Sequence, residues 1–286
     1  MKRIYNLLIA VIVAVTALPV MAAEADSVEI LRPVRAAYTA EIGSSHLADT
    51  YLTPLRYDGI HAALAYQRYQ AMKFAPERWT MSLTLNLGLD KADNPARNAT
   101  MWNLALDADW GMMHRWRVHP LLTLAAGGST TISAGALYNA RNGNNPVSAK
   151  ASWTVDVTGY AACHLTIGHL PVTIVYRPTI PVTGVFFSPD YGELYYEIYL
   201  GNHSGLCHGA WWGNYFRMDN LLTADLEFGA TYLRVGYHGG IFSSKVNDIT
   251  TNVFTHSFVV GISGEWLSLN PRKPRSCKSR IVQAIY

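Results

Sequence analysis

Residues 100–112 read T-M-W-N-L-A-L-D-A-D-W-G-M, with Trp102, Leu104, Leu106, Ala108, Trp110 and Met112 at every second position. Asn103, Asp107 and Asp109 hold alternate positions between them. Successive side chains of a β-strand point to opposite faces, so this spacing gives one apolar and one polar face. The same pattern fills 79–89, where Trp79, Met81, Leu83, Leu85, Leu87 and Leu89 alternate with Thr80, Ser82, Thr84, Asn86 and Gly88. It recurs over 149–167, where Trp153, Val155 and Val157 alternate with Ser152, Thr154, Asp156 and Thr158.

A half-apolar strand suits two folds. In a sandwich the apolar face is the core. In a transmembrane barrel it meets lipid, and the polar face lines the lumen. Strand length favours the barrel, because several runs exceed ten residues, beyond the usual five or six and suited to a tilted bilayer crossing. Trp102 and Trp110 lie on one face. Eight residues at ~3.3 Å and a tilt near 40° place them roughly 20 Å apart along the normal, close to the spacing of two aromatic girdles.

The alternation gives candidate strands at 35–43, 59–74, 79–89, 100–112, 116–133, 149–167, 170–184, 193–203, 206–216, 221–228, 231–242 and 253–267. That is about 12, an even number. Links after the first, third, fifth, seventh and eleventh are long, and those after the second (75–78), fourth, sixth, eighth and tenth are tight; the link at 217–220 breaks the rule. Short periplasmic turns opposite longer outer loops are the expected asymmetry. The fold class expected is therefore all-β, a transmembrane antiparallel up-and-down β-barrel over 35–267. No nucleic-acid partner is expected, since the net charge of +3 offers no broad Lys/Arg excess. With half its residues hydrophobic and only 15% charged, the chain is not a long disordered protein.

The flanks carry their own signals. Lys2 and Arg3 precede an apolar run from Leu7 to Leu18, and Pro19 stands before Val20-Met21-Ala22. This is the pattern of a signal peptide, 1–22, followed by an N-terminal periplasmic segment at 23–34. Losing Lys2 and Arg3 leaves 21 basic against 20 acidic residues. Five more basic residues, Arg272, Lys273, Arg275, Lys278 and Arg280, lie in a tail at 268–286 that has no acid. The remainder carries 16 basic and 20 acidic residues, so a near-neutral average hides an acidic barrel body and a basic end. Cys163, Cys207 and Cys277 are odd in number, and the Cys163-His164 and Cys207-His208 neighbours point to opposite faces of a strand. No metal and no cofactor is expected.

Two segments carry a resemblance. Residues 49–59, D-T-Y-L-T-P-L-R-Y-D-G, and 181–197, P-V-T-G-V-F-F-S-P-D-Y-G-E-L-Y-Y-E, resemble segments of an uncharacterised Bacteroidetes-type family of exported outer-membrane β-barrel proteins, a domain of unknown function. Thr53 stands where that family commonly has Ser, and Glu193-Leu194 replaces a polar-small pair. The resemblance implies a barrel and the bacterial cell outer membrane, with no catalytic residues to carry over.

Three constellations could carry function. The polar faces place Arg35, Glu41, Asp107, Asp109, Lys150, Asp156, Arg177, Glu193, Glu197, Asp225, Glu227, Arg234 and Glu265 toward the lumen. Charge on the lipid face costs about 2–4 kcal/mol at the midplane for Arg or Lys, which enforces that register. Carboxylates in the majority suit either a paired network filling the lumen or a narrow cation-preferring passive channel, with Arg177 and Glu197 as an expected pair. Aromatics near the long loops (Tyr51, Tyr57, Phe186, Phe187, Tyr191) suit an interfacial girdle or a glycan, lipid or protein ligand at the loops. The third is Ser44-Ser45-His46, a Ser-x-His placed in the first long loop and read as polar filler; it is the only trace of the alternative function, a lipid-modifying hydrolase. The reading is a non-enzymatic outer-membrane barrel whose partners are outer-membrane lipids and, during biogenesis, the barrel assembly machinery.

Overall fold

The computed structural model describes residues 29–229, 231–267 and 279–285; the expected signal peptide and most of the basic tail lie outside them. Its strands are β1 (Glu29–Leu31), β2 (Val34–Asp49), β3 (Thr53–Ala71), β4 (Trp79–Asp93), β5 (Thr100–His119), β6 (Leu122–Asn139), β7 (Val147–Ile167), β8 (Leu170–Phe187), β9 (Cys207–Ala210), β10 (Tyr215–Phe228), β11 (Thr231–Val246), β12 (Ile249–Trp266) and β13 (Ser279–Ile281), with one short helix, α1 (Tyr195–Tyr199). No described helix is long and apolar enough to cross a membrane.

Strands β2 to β8 and β10 to β12 pair antiparallel in sequence order, and β12 pairs back on β2. The ring closes where Leu226–Asp219 of β10 meets Val172–Thr179 of β8. Along that stretch closure leaves no exposed edge, so backbone donors and acceptors find partners all round the ring. The class expected from the alternation stands, as an antiparallel up-and-down barrel of ten strands rather than about 12. Two expected strands account for the difference. Residues 193–203 hold α1, and 206–216 supply only β9 and the first residues of β10. The seam explains where β9 goes. Pro178 and Pro181 lack N–H donors, the β8–β10 ladder stops at Thr179, and the top of β8 pairs with β9 at Gly184–Phe187 instead.

Links at 50–52, 94–99, 140–146, 188–214 and 247–248 lie at one end, called upper here; the other end has the links 72–78, 120–121, 168–169 and 229–230 together with the chain's described ends. The asymmetry is milder than expected because the strands outrun their apolar stretches. The first link, expected to be long, is a three-residue turn, since β2 continues to Asp49 and β3 begins at Thr53.

Parity within the strands is as read. On β5, Trp102, Leu104, Leu106 and Trp110 are exposed outward, while Asn103, Asp109, Met113 and Arg115 are buried within. The lower mouth is closed by the chain itself. β13 pairs parallel with β1, and residues 282–285 turn into the lumen, where Ala284 and Ile285 pack on Tyr69, Met113, Tyr160 and Val175. Arg115 Nη1 donates to the carbonyls of Gln283 and Ala284, each at 2.8 Å, and its Nη2 donates to Pro76 O. Hydrogen bonds from a charged donor contribute about 1.5–3 kcal/mol each. Arg115→Ala should therefore speed amide hydrogen exchange in the C-terminal peptide by about tenfold or more, read by mass spectrometry on the folded barrel. Unchanged protection there would show that Arg115 does not hold the plug.

Candidate functional site

The inward faces build layers of charge across the lumen. In the lower layer Asp225 of β10 stands opposite Arg234 of β11. Arg234 Nε and Nη2 grip its two oxygens at 2.6 and 2.8 Å, and Arg35 of β2 adds a third contact at 2.5 Å. Arg234 Nη1 also donates to Gln67 Oε1 at 2.7 Å. One buried carboxylate between two guanidiniums is compensated by geometry as well as charge.

The middle layer spans the barrel. Arg177 of β8 reaches Asp109 and Thr84 on the far wall. Thr131 donates to Asp156 at 2.5 Å and lies 3.3 Å from Asp109. Arg217 of β10 bonds Asp107 of β5 through Nη1 at 2.7 Å and Nη2 at 3.0 Å, and its own-strand neighbour Asp219 through Nε at 2.8 Å. His238 Nδ1 lies 2.9 Å from Glu41 Oε2, which also accepts from Ser257. Above these, His61, Asp90 and Asn103 form a bonded row at 2.7 Å per contact, and Lys150 meets Asp49 at 2.8 Å.

An apolar lid sits on top. Leu47, Tyr51, Leu52, Tyr57, Met101, Leu137 and Ile249 pack together beneath the upper links. Tyr51 donates its hydroxyl to the Glu193 carbonyl at 2.6 Å, Asn142 bonds Leu52 O, and Arg141 bonds Asn98 O, so four links are tied into one cap. Burial pushes the Tyr51 phenol well above its ordinary value, keeping it a neutral donor. Between lid and middle layer lies a cavity of about 140 Å³ bordered by His61, Lys150, Tyr215, Arg217 and Phe242; a second, of about 70 Å³, lies among the middle-layer charges.

The expected lumen residues fall into three groups. Arg35, Glu41, Asp107, Asp109, Lys150, Asp156, Arg177, Asp225 and Arg234 face inward and join the layers. Glu227 and Glu265 sit at the lower rim, where Arg35 lies 3.8 Å from Glu265. Glu193 and Glu197 are not on the wall. Glu193 is buried in the upper loop, accepting from the Asp190 backbone and Asn202, and Glu197 is exposed on α1, where it accepts the Leu194 N–H. The expected Arg177–Glu197 pair does not form, because 193–203 is not a strand and Arg177 turns to Asp109.

The sequence reading passed over Arg217, Asp219, His238, His61, Asp90 and Asp49. Arg217 and Asp219 lay in a presumed link, but β10 begins at Tyr215. Asp90 falls one residue past the expected strand 79–89, and Asp49 falls in the expected first link, six residues past 43, because β2 runs on to Asp49. Parity with Arg234 was the available signal for His238. Ser44 and His46 lie on β2, not in a loop, both exposed on its outer face.

A family described as a protein of unknown function (DUF3316) matches residues 6–273. The chain belongs to this family. No curated protein matches it in sequence. Among solved structures it is similar to the translocator domain of the autotransporter NalP from Neisseria meningitidis, at 13% identity and TM-score 0.36, covering 82% of this chain and 88% of that one. The transport unit of the autotransporter AIDA-I from Escherichia coli matches at 8% and 0.40, covering 89% and 94%. The COG4313 outer membrane channel from Pseudomonas putida F1 matches at 9% and 0.27, covering 87% and 100%.

Removing one partner from a buried ionic cluster strands the others, at a cost of about 3–5 kcal/mol. Arg234→Ala should destabilise the barrel by that amount in denaturant titrations followed by tryptophan fluorescence. Glu197→Gln, on the exposed helix, should change stability by less than about 0.5 kcal/mol. Equal effects would contradict the layered assignment.

Proposed function

We propose that the protein works in a bacterial outer membrane as a closed, non-conducting barrel that presents its upper loops at the cell surface. The expected signal peptide and the outward apolar band support that location. One observation carries the closed state: Arg177–Asp109 and Arg217–Asp107 bridge the lumen between strands three and four places apart in the ring, with an apolar lid above and the chain's own C-terminal segment below. A permeating ion would have to part bonded, mostly buried pairs, whereas a pore needs sites that are weak enough to leave. The upper loop 188–214 exposes Tyr191, Tyr196, Tyr199, Trp211 and Trp212. Large exposed aromatics on a loop fixed by a rigid scaffold suit a binding surface.

Planar lipid bilayers test the closed state. Purified folded protein should give no single-channel steps in molar potassium chloride. Steps that change in size when Asp107 is replaced by Asn would instead support a cation-preferring passive channel through the middle layer.

A further inference from the structure

The outer face of β2 carries a cluster of polar side chains near its upper end. Ser44 and His46 are two residues apart on one strand and both exposed, so they project from the same face about 6.6 Å apart along the backbone. Asp58 of β3 pairs directly with His46, and its Oδ1 lies 2.5 Å from His46 Nδ1. An acid bonded to Nδ1 fixes the proton there and leaves Nε2 with its lone pair, the tautomer a general base needs. On the other side, His256 of β12 pairs directly with Ser44. Directly opposed residues place their Cβ atoms about 4.5–5.5 Å apart. Gly43 helps bring β12 close: a Cβ at that position would meet His256 O at 1.9 Å. Tyr237 OH bonds His256 Nδ1. With the phenol donating, His256 carries its proton on Nε2 and offers a donor across from Ser44.

The position is as informative as the chemistry. Below Ser44 the outer face is apolar, with Ile42 and Phe258 exposed, and Ile60 is exposed beside it. Ser44, Lys91, Trp102 and Tyr138 all lie within five residues of the upper ends of their strands, and Lys91 lies 5.5 Å over the Trp102 ring. Trp, Tyr and snorkelling Lys mark the membrane–water boundary. Acyl ester linkages of membrane lipids lie at that depth.

We propose that Ser44, His46 and Asp58 form a catalytic site on the outside of the barrel that hydrolyses acyl esters of lipids in the adjacent leaflet. Ser44 Oγ attacks the ester carbonyl carbon as its proton passes to His46 Nε2, and the His256 donor faces the oxygen that becomes negative. The carbon–oxygen bond to the lipid alcohol breaks, and that oxygen takes the proton from His46. Water then attacks the Ser44 ester, giving its proton to His46. The fatty acid leaves, and His46 returns the proton to Ser44. Asp58 is a positioning residue, acting through the His46 tautomer. A closed lumen is no obstacle, because substrate arrives from the bilayer.

Purified full-length protein, folded in detergent, tests this with an alkyl fluorophosphonate and with phosphatidylethanolamine vesicles. The expected result is a phosphonyl adduct on the peptide containing Ser44 and release of free fatty acid. Both should be lost in Ser44→Ala and kept in Ser204→Ala, a serine in the exposed loop. His46→Ala should abolish turnover. Asp58→Asn should lower kcat by about 10²–10⁴-fold while KM stays within about twofold. All of these side chains are exposed, and faster gel migration before boiling than after verifies that each variant is folded. Folded wild type that forms no Ser44 adduct and releases no fatty acid overturns the proposal, as does activity retained in Ser44→Ala.

Discussion

Everything in this barrel follows from one constraint: once a sheet closes on itself, each residue faces either the outside or a narrow lumen in which charges take most of their partners from the wall. Ten strands leave an interior that side chains largely fill, apart from the cavities of about 140 and 70 Å³. An inward carboxylate must therefore meet an inward cation or hydroxyl, and an inward guanidinium must spend its donors on neighbours. The middle layer satisfies this by reaching across the ring, Arg177 from β8 to β5 and Arg217 from β10 to β5. The lower layer satisfies it locally, through the direct Asp225–Arg234 pair. Such clusters add less to stability than their bond count suggests, because desolvation offsets much of the attraction. Their firmer effect is on register, since a one-residue slip would carry every charge to the apolar exterior.

The ends are sealed by different means. Above, apolar side chains and tyrosine donors tie separate links into one cap. Below, the chain's own last described residues enter the mouth, and Arg115 satisfies their carbonyls. A backbone segment in a lumen needs such donors, because its polar groups have left water. Glu77 and Arg280 form a 2.5 Å ion pair outside the mouth. That pair is exposed at the rim and adds little.

Much of this was legible in the residues. Strict alternation over 100–112 fixes face and class together, and Trp102, Leu104 and Trp110 point outward as their parity requires. Parity also named nine of the layered charges. It misled at 193–203, where Glu193 to Tyr199 are rich in aromatic strand formers yet fold locally as α1 above the barrel, with Glu197 bonding the Leu194 amide. Without a neighbouring strand to pair with, propensity alone does not make a strand. Parity is silent on angle around the ring, so it could not tell that Arg177 meets Asp109 rather than Glu197. The Ser44–His46–Asp58 arrangement was hidden for a related reason. The apolar pattern ends near residue 43, while the hydrogen-bonded strands run on to Asp49 and bring Asp58 beside His46.

The central claim is that the alternating faces of these strands separate lipid from a closed lumen. Nitroxide labels placed singly at positions 101–113 of a cysteine-free chain in lipid vesicles test it most directly, through collision with dissolved oxygen. Accessibility should oscillate with a period of two, high at 102, 104, 106, 108 and 110 and low at 103, 105, 107, 109 and 111. A flat profile, or one in which the odd positions are the accessible ones, would contradict the account.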